Sequence, residues 1–183
     1  MRIIAGEFRG RVLKSPPDSK TRPTSDRLRE TLFNIIAPNI GEDTRFLDLC
    51  AGTGAIGIEA LSRGAAFVTF VDRSKRSCAL IEENLDKLAI ADERTEILGI
   101  EAETFSGREH SNSWDIAYYD PPYDADYSLV MHEFGANKTL LADDGLLVVE
   151  HHTKKSLPDL TGSIRRWRIV KQGESSLSFY ERK

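Results

Sequence analysis

From residue 45 onward the chain alternates short apolar runs with stretches of helical period, and this alternation limits its fold more than any other feature. Arg45–Leu49 is an apolar strand, Ala55–Arg63 a helix, Ala66–Val71 a strand, Lys75–Leu88 a helix and Thr95–Leu98 a strand. Trp114–Tyr119 and Leu146–Glu150 are further strands, with a helix near Tyr127–Asn137 between them. Parallel strands need crossovers, and helices supply them on both faces, so the pattern predicts an α/β fold around a mostly parallel sheet. Ser163–Lys171 and Ser175–Glu181 then flank Gly173 with no helix between them. They predict an antiparallel hairpin at one sheet edge.

The segment ahead of this alternation differs from it. Arg2–Ala5 and Arg11–Lys14 are strand-like pieces around Gly6 and Gly10, predicting a small hairpin. From Thr24 or Ser25, either of which can cap a helix, Leu28, Leu32, Ile35 and Ile36 recur at helical spacing until Pro38. Residues 1–40 are therefore expected to form an extension and residues 41–183 the main domain. Residues 1–34 carry eight basic and four acidic side chains, so the arm is +4 and the remainder −8 in a chain of net charge −4. A basic arm on an acidic body suits contact with a phosphate backbone, and the acidic total argues against indiscriminate coating of nucleic acid.

Composition excludes several classes. No apolar run approaches the roughly 20 residues that span a bilayer, and the first residues lack a signal peptide's apolar stretch, so a cytoplasmic location is expected. Two cysteines, Cys50 and Cys78, make a disulfide framework improbable, and Cys50 reads as a small filler without a histidine to activate it. His110, His132, His151 and His152 show no metal-ligand spacing, and no metal is expected.

Chemistry concentrates in two turns. Gly52, Gly54 and Gly57 follow a strand and open a helix, the setting in which glycines permit a tight turn and close backbone approach to a ligand. Asp72 ends the next strand, where a carboxylate can take both hydroxyls of a ribose. Asp48 precedes the turn; there it would repel a dinucleotide's pyrophosphate but favour the amino group and sulfonium of S-adenosylmethionine. Ala51, Thr53 and Arg73 belong to the same candidate cofactor site. Glu101-Ala102 follows the third strand, where Glu101 could accept from an adenine amine; Glu103 could do the same, and a solvated carboxylate is an equal reading.

Asp120-Pro121-Pro122-Tyr123 ends the fourth strand. An exocyclic amine is a poor nucleophile because its lone pair is delocalised into the ring. Acceptors aimed at its N–H bonds draw the nitrogen toward tetrahedral geometry; Asp120 offers one, and the Pro121 carbonyl another. Pro121 and Pro122 stiffen the turn, and Tyr123 can stack on an extruded base. Together the two turns read as a methyltransferase.

With these residues in view, the chain resembles the RsmD-type 16S rRNA (guanine-N2) methyltransferases over nearly its full length. The resemblance rests on Arg2-Ile3-Ile4-Ala5-Gly6 with Arg9-Gly10-Arg11, on Arg22-Pro23-Thr24 with Asp26-Arg27 and Arg29–Asn34, and on Gly52–Ala65 with the second turn. It implies a Rossmann-like class I fold of seven strands, S-adenosylmethionine as cofactor, and N2-methylguanine in small-subunit rRNA as product. It further implies a 16S rRNA partner, within a 30S subunit or its precursor, and a monomeric enzyme. Arg9, Arg11, Arg22, Arg27 and Arg29 would face the RNA. Cys50 and Glu101 depart from the residues usual at their positions. Competing readings are another N-methyltransferase acting on DNA adenine or protein glutamine, an NAD-dependent oxidoreductase, and a non-catalytic assembly factor; Asp48 and Asp120 weigh against them.

Overall fold

The computed structural model describes residues 1–16 and 26–183. After helix α1 (Asp26–Ile36) the main fold runs β1 (Arg45–Leu49), α2 (Ala55–Ser62), β2 (Phe67–Val71), α3 (Lys75–Leu88), β3 (Thr95–Leu98), α4 (Ala102–Ser106) and β4 (Trp114–Tyr119). It continues through α5 (Ser128–Ala136), β5 (Leu141–His152), β6 (Leu160–Thr161), β7 (Ile164–Gln172) and β8 (Ser175–Arg182). The sheet order is β3-β2-β1-β4-β5-β8-β7-β6. β1 to β5 are mutually parallel, and β8 runs antiparallel to both β5 and β7. Winding reverses between β1 and β4, which opens a crevice at their carboxyl ends.

The seven expected strands are present, and a two-residue strand, β6, adds an eighth at the edge. Two residues carry no periodicity, so nothing in the sequence marks this strand. β5 begins five residues earlier than its apolar run: Asp143, Asp144 and Gly145 are absorbed where the pairing with β4 shifts register between Trp114 and Ile116. The short helix α4 has too few turns to show a period. The expected N-terminal hairpin reduces to one antiparallel bridge, Arg2 to Val12, closed by Ile3 N–H to Arg11 O at 3.0 Å and Gly10 N–H to Ile3 O at 2.9 Å.

Alternation along the strands divides the interior into two layers. Phe46, Val68, Phe70, Ile116, Val148, Leu177 and Phe179 face α1, α2 and α3, with Ile3 and Leu13 of the N-terminal segment buried in the same cluster. Leu47, Leu49, Val71, Ala117, Tyr119, Leu147 and Val149 face α4 and α5. Gly57 is required by this packing: a Cβ there would stand 2.3 Å from a Phe70 ring carbon.

The first residues are fastened to α2. Ile4 and Ala5 donate their N–H groups to the two oxygens of Glu59 at 2.8 and 3.0 Å, and Phe8 N–H donates to Ser62 Oγ at 3.0 Å. Glu59 is fully buried, and Arg63 Nε completes its shell at 2.8 Å. No helix among the described residues is long and apolar enough to cross a membrane.

Candidate active site

The parallel strands place their final residues along one edge, and the two-residue period decides which of them share a face. Asp48 is registered opposite Tyr118, and Tyr118 opposite Val148. Asp48, Tyr118, Asp120 and Glu150 are all even-numbered positions of these strands or the residue just after, so they converge on the α1–α3 face at the mouth of the crevice.

Asp48 does not project freely into the crevice as its position suggested. It is 1% exposed, and Oδ2 accepts from Gly57 N–H at 2.9 Å, so the carboxylate caps the first turn of α2 from below. Burial pushes its pKa up to about 7; the Gly57 hydrogen bond opposes this and the charge of Asp72 adds to it. The glycine turn sits above. Cys50 occupies the left-handed region (φ +63°), unusual for a residue with a side chain, and its N–H donates to Val71 O at 2.8 Å. Burial raises the Cys50 thiol pKa, in keeping with a filler and not a nucleophile. Gly52 is also left-handed (φ +56°), and a Cβ built on it meets nothing within 4 Å. The outer surface of the turn is thus open to a ligand. Thr53 O accepts from Asn84 Nδ2 of α3 at 3.1 Å, and Gly54 (φ +74°) is the N-cap of α2.

Asp72, half-buried at the end of β2, is preorganised by backbone donors: Oδ2 accepts from Gly52 N–H and Oδ1 from Ser74 N–H, both at 2.8 Å. Each oxygen keeps a second lone pair for another donor. Arg73 and Glu101 are exposed and approach to 3.7 Å, joining the loop after β2 to the start of α4; Ala102 is buried beneath them.

The Asp-Pro-Pro-Tyr turn hangs from the end of β1, because Asp120 N–H donates to Leu49 O at 3.3 Å. The two motifs are therefore linked by backbone. Pro121 is buried, Pro122 exposed, and Ala125 N–H closes the turn on Pro122 O at 2.9 Å. Burial, then the charges of Glu150 and Asp48, raise the Asp120 pKa well above the usual carboxylate range. Although Asp120 retains some solvent contact over the whole residue, its carboxyl group lies in the low-dielectric floor of the crevice, and the direction follows from that placement. Tyr123 is 43% exposed; its hydroxyl lies 3.1 Å from Ser175 Oγ, and its ring meets His152 edge-on at 5.5 Å. Lys155 steadies the far end of the turn, its ammonium 3.9 Å from the Tyr127 ring centre.

Four residues here lay outside the sequence reading. Glu150 is 4% exposed and accepts a short hydrogen bond from the Tyr118 hydroxyl. Like Asp48 and Asp120 it is an acid ending an apolar strand, and that shared position was the available signal. Ser175 and His152 carried none, since their roles arise from strand order, whereas Ser74 is a local N-cap of α3 two residues after Asp72, a signal the spacing did hold.

The basic arm divides. Arg9, Arg11 and Arg27 are exposed. Arg29 is not: at 1% exposure its Nη2 donates to Arg2 O at 2.6 Å and to Asp26 Oδ1 at 3.0 Å, so it pins α1 to the N-terminal segment and faces no RNA. Arg29 follows directly on Leu28, and the buried stripe of α1 is wide enough to include both. Arg22, Thr24 and Ser25 lie outside the described residues.

A family model described as "Conserved hypothetical protein 95" matches residues 1–181. "Ribosomal RNA small subunit methyltransferase D" of Escherichia coli K12 is 34% identical over 182 residues, covering 100% of this chain and 90% of that one. The chain belongs to this family, the RsmD-type methyltransferases. "Putative rRNA methyltransferase YlbH" of Bacillus subtilis is 31% identical over 185 residues, covering 100% of both chains. The solved structure "Putative methyltransferase yhhF from Escherichia coli" superposes with a TM-score of 0.88 at 33% identity, covering 100% of this chain and 98% of that one. RsmD-type membership spans the N-terminal segment, the glycine turn and the Asp-Pro-Pro-Tyr turn alike.

Proposed function

We propose that this chain transfers a methyl group from S-adenosylmethionine to the exocyclic N2 amine of a guanine in small-subunit rRNA, free or within a 30S particle. Family membership supports methylation of rRNA; the base, the atom and the residue roles rest on the site. The observation that carries them is the hydrogen bond from Asp120 N–H to Leu49 O, which fixes an amine-clamping turn beside the cofactor turn.

The residues fit S-adenosylmethionine. Gly52 leaves open space above the turn, Asp72 offers its carboxylate to the ribose, and Asp48 and Asp120 are buried carboxyls whose ionised forms a bound cation would favour. Arg73, Glu101 and Ala102 border the adenine side, with Glu101 as its acceptor. The cofactor, when bound, supplies an electrophilic methyl group on a sulfonium. Tyr123, tethered by Ser175, offers a fixed platform for the flipped base. Asp120 and the Pro121 carbonyl then accept from the two N–H bonds of the amine and localise its lone pair. Transfer of the methyl group would leave a neutral thioether and a cationic nitrogen with one proton to give up. Asp120, as an acceptor of one of those N–H bonds, is placed to receive that proton. Positioning supplies most of the acceleration.

Tritiated methyl transfer to undermethylated 30S subunits, free 16S RNA and DNA, followed by nucleoside analysis, tests the reading. N2-methylguanine is the expected product, and Asp120→Ala should abolish single-turnover transfer while calorimetry shows cofactor affinity retained. Methylated adenine, or an active Asp120→Ala enzyme, would overturn it.

A further inference from the structure

β7 differs from every other strand in what it shows to solvent. Between Arg165 and Lys171 it carries Arg165, Arg166, Arg168 and Lys171 with no acidic residue, in a chain of net charge −4. Arg166 is committed to Asp159. Arg168 and Lys171 are exposed and form no ion pair with a described residue, and Arg165 is exposed opposite Glu181. Two large apolar side chains accompany them, Trp167 at 44% and Ile169 at 42% exposure. A bulge between Arg166 and Arg168 turns the Trp167 ring onto Phe179, 5.7 Å away, and Phe179 is the residue opposite Arg168. Trp167 and Arg168 thus both neighbour Phe179 on the edge of the sheet.

The outer side of this strand is open. β6 pairs only with Ile164 and Arg165, so the edge from Trp167 to Gln172 has no strand beside it among the described residues. The edge also leads to the active site. Gln172 is registered opposite Ser175, whose hydroxyl holds Tyr123. From there Arg168 and Lys171 alternate in face, Arg168 on the side of Phe179 and Lys171 on the other, so the two cations straddle the open edge over about 10 Å of strand. Charge alone would protect an open edge from pairing with another strand, but exposed Trp167 and Ile169 work against that purpose.

We infer that the open edge of β7, through Arg168, Lys171 and Trp167, is a second RNA-docking surface, which holds the phosphate backbone flanking the guanine placed on Tyr123. This rests on the rRNA reading above. The cations meet phosphates, and the indole offers a stacking face to an unpaired base. The acidic crevice is then bordered by cations on the hairpin side as well as by Arg9, Arg11 and Arg27 of the arm.

Anisotropy of a fluorescein-labelled small-subunit rRNA hairpin, titrated across a potassium chloride series, tests the assignment. Arg168→Glu/Lys171→Glu should bind on the order of 10-fold more weakly, with a log-affinity against log-salt slope shallower by about two. Cofactor affinity should be unchanged. Arg168→Gln/Lys171→Gln should flatten the slope in the same sense and serves if the reversal fails to fold. Wild-type affinity and slope in the variants would overturn the docking surface and leave the rRNA reading standing. Absence of salt-dependent RNA binding by the wild type would overturn both. Unaltered hairpin binding with lost methylation of 30S particles would assign the edge to a protein partner and overturn the RNA assignment.

Discussion

Asp48→Asn should make this protein more stable above neutral pH and a poorer binder of its cofactor. Asp48 has a carboxyl pKa raised from an ordinary 3.8 to about 7 by burial. Between those values the folded state binds more protons than the unfolded one, so stability falls as pH rises through the window from about 4 to about 7 and is constant above it. A shift of roughly three units corresponds to about 4 kcal/mol at pH 8, and at 1% exposure solvent screening reduces it little. Asparagine removes the charge, and its side-chain oxygen can still accept from Gly57 N–H, though without charge assistance. A net gain of about 2–3 kcal/mol at pH 8 is therefore expected, shrinking toward zero near pH 4. Urea unfolding of both proteins at half-unit steps of pH measures it. A difference that stays flat through the window, or grows as pH falls, would refute the reasoning.

Asp72→Ala should weaken S-adenosylmethionine binding by about 1.5–3 kcal/mol, read by calorimetry; wild-type affinity would remove the ribose assignment. Arg29→Ala should lower stability by about 2–3 kcal/mol through loss of its bonds to Arg2 and Asp26, whereas Arg27→Glu should stay within about 0.5 kcal/mol of wild type and weaken RNA binding. Thermal melts with a binding titration separate the two arginines. Gly57→Ala should destabilise by about 1–3 kcal/mol, because its methyl group would enter the Phe70 ring and Val68; a melt like that of the wild type would show that α2 can shift.

How far the sequence could be read depended on the range of the interactions involved. Period and turn chemistry are local, so β1, α3, β3 and β4 stand at their expected bounds, and the glycine and Asp-Pro-Pro-Tyr turns fall where strand and helix meet. The orientation of a side chain at an element's end is not local. Asp48 faced inward because α2 starts directly over it, and Arg29 was buried because the N-terminal segment supplies Arg2 O as a partner 27 residues away. Glu150 acquires meaning only when β5 lies beside β4, and Ser175 only when β8 enters between β5 and β7. None of these follows from spacing along the chain.

Glu59 carries a consequence for how this enzyme can vary. Its two oxygens are divided among Ile4, Ala5 and Arg63, and no solvent reaches it. Losing the N-terminal segment leaves Glu59 with Arg63 as its one partner, and neutralising the charge leaves one of the two amides without an acceptor. Either change alone is costly, and both together are tolerable only with an apolar replacement. Residues 59 and 63 should therefore drift together across descendants of this chain, while positions 4 and 5, which contribute only main-chain N–H groups, need only exclude proline. An arm grafted from a relative would have to bring two free amides to the same carboxylate, which makes the N-terminal segment and the helix after the glycine turn one folding unit.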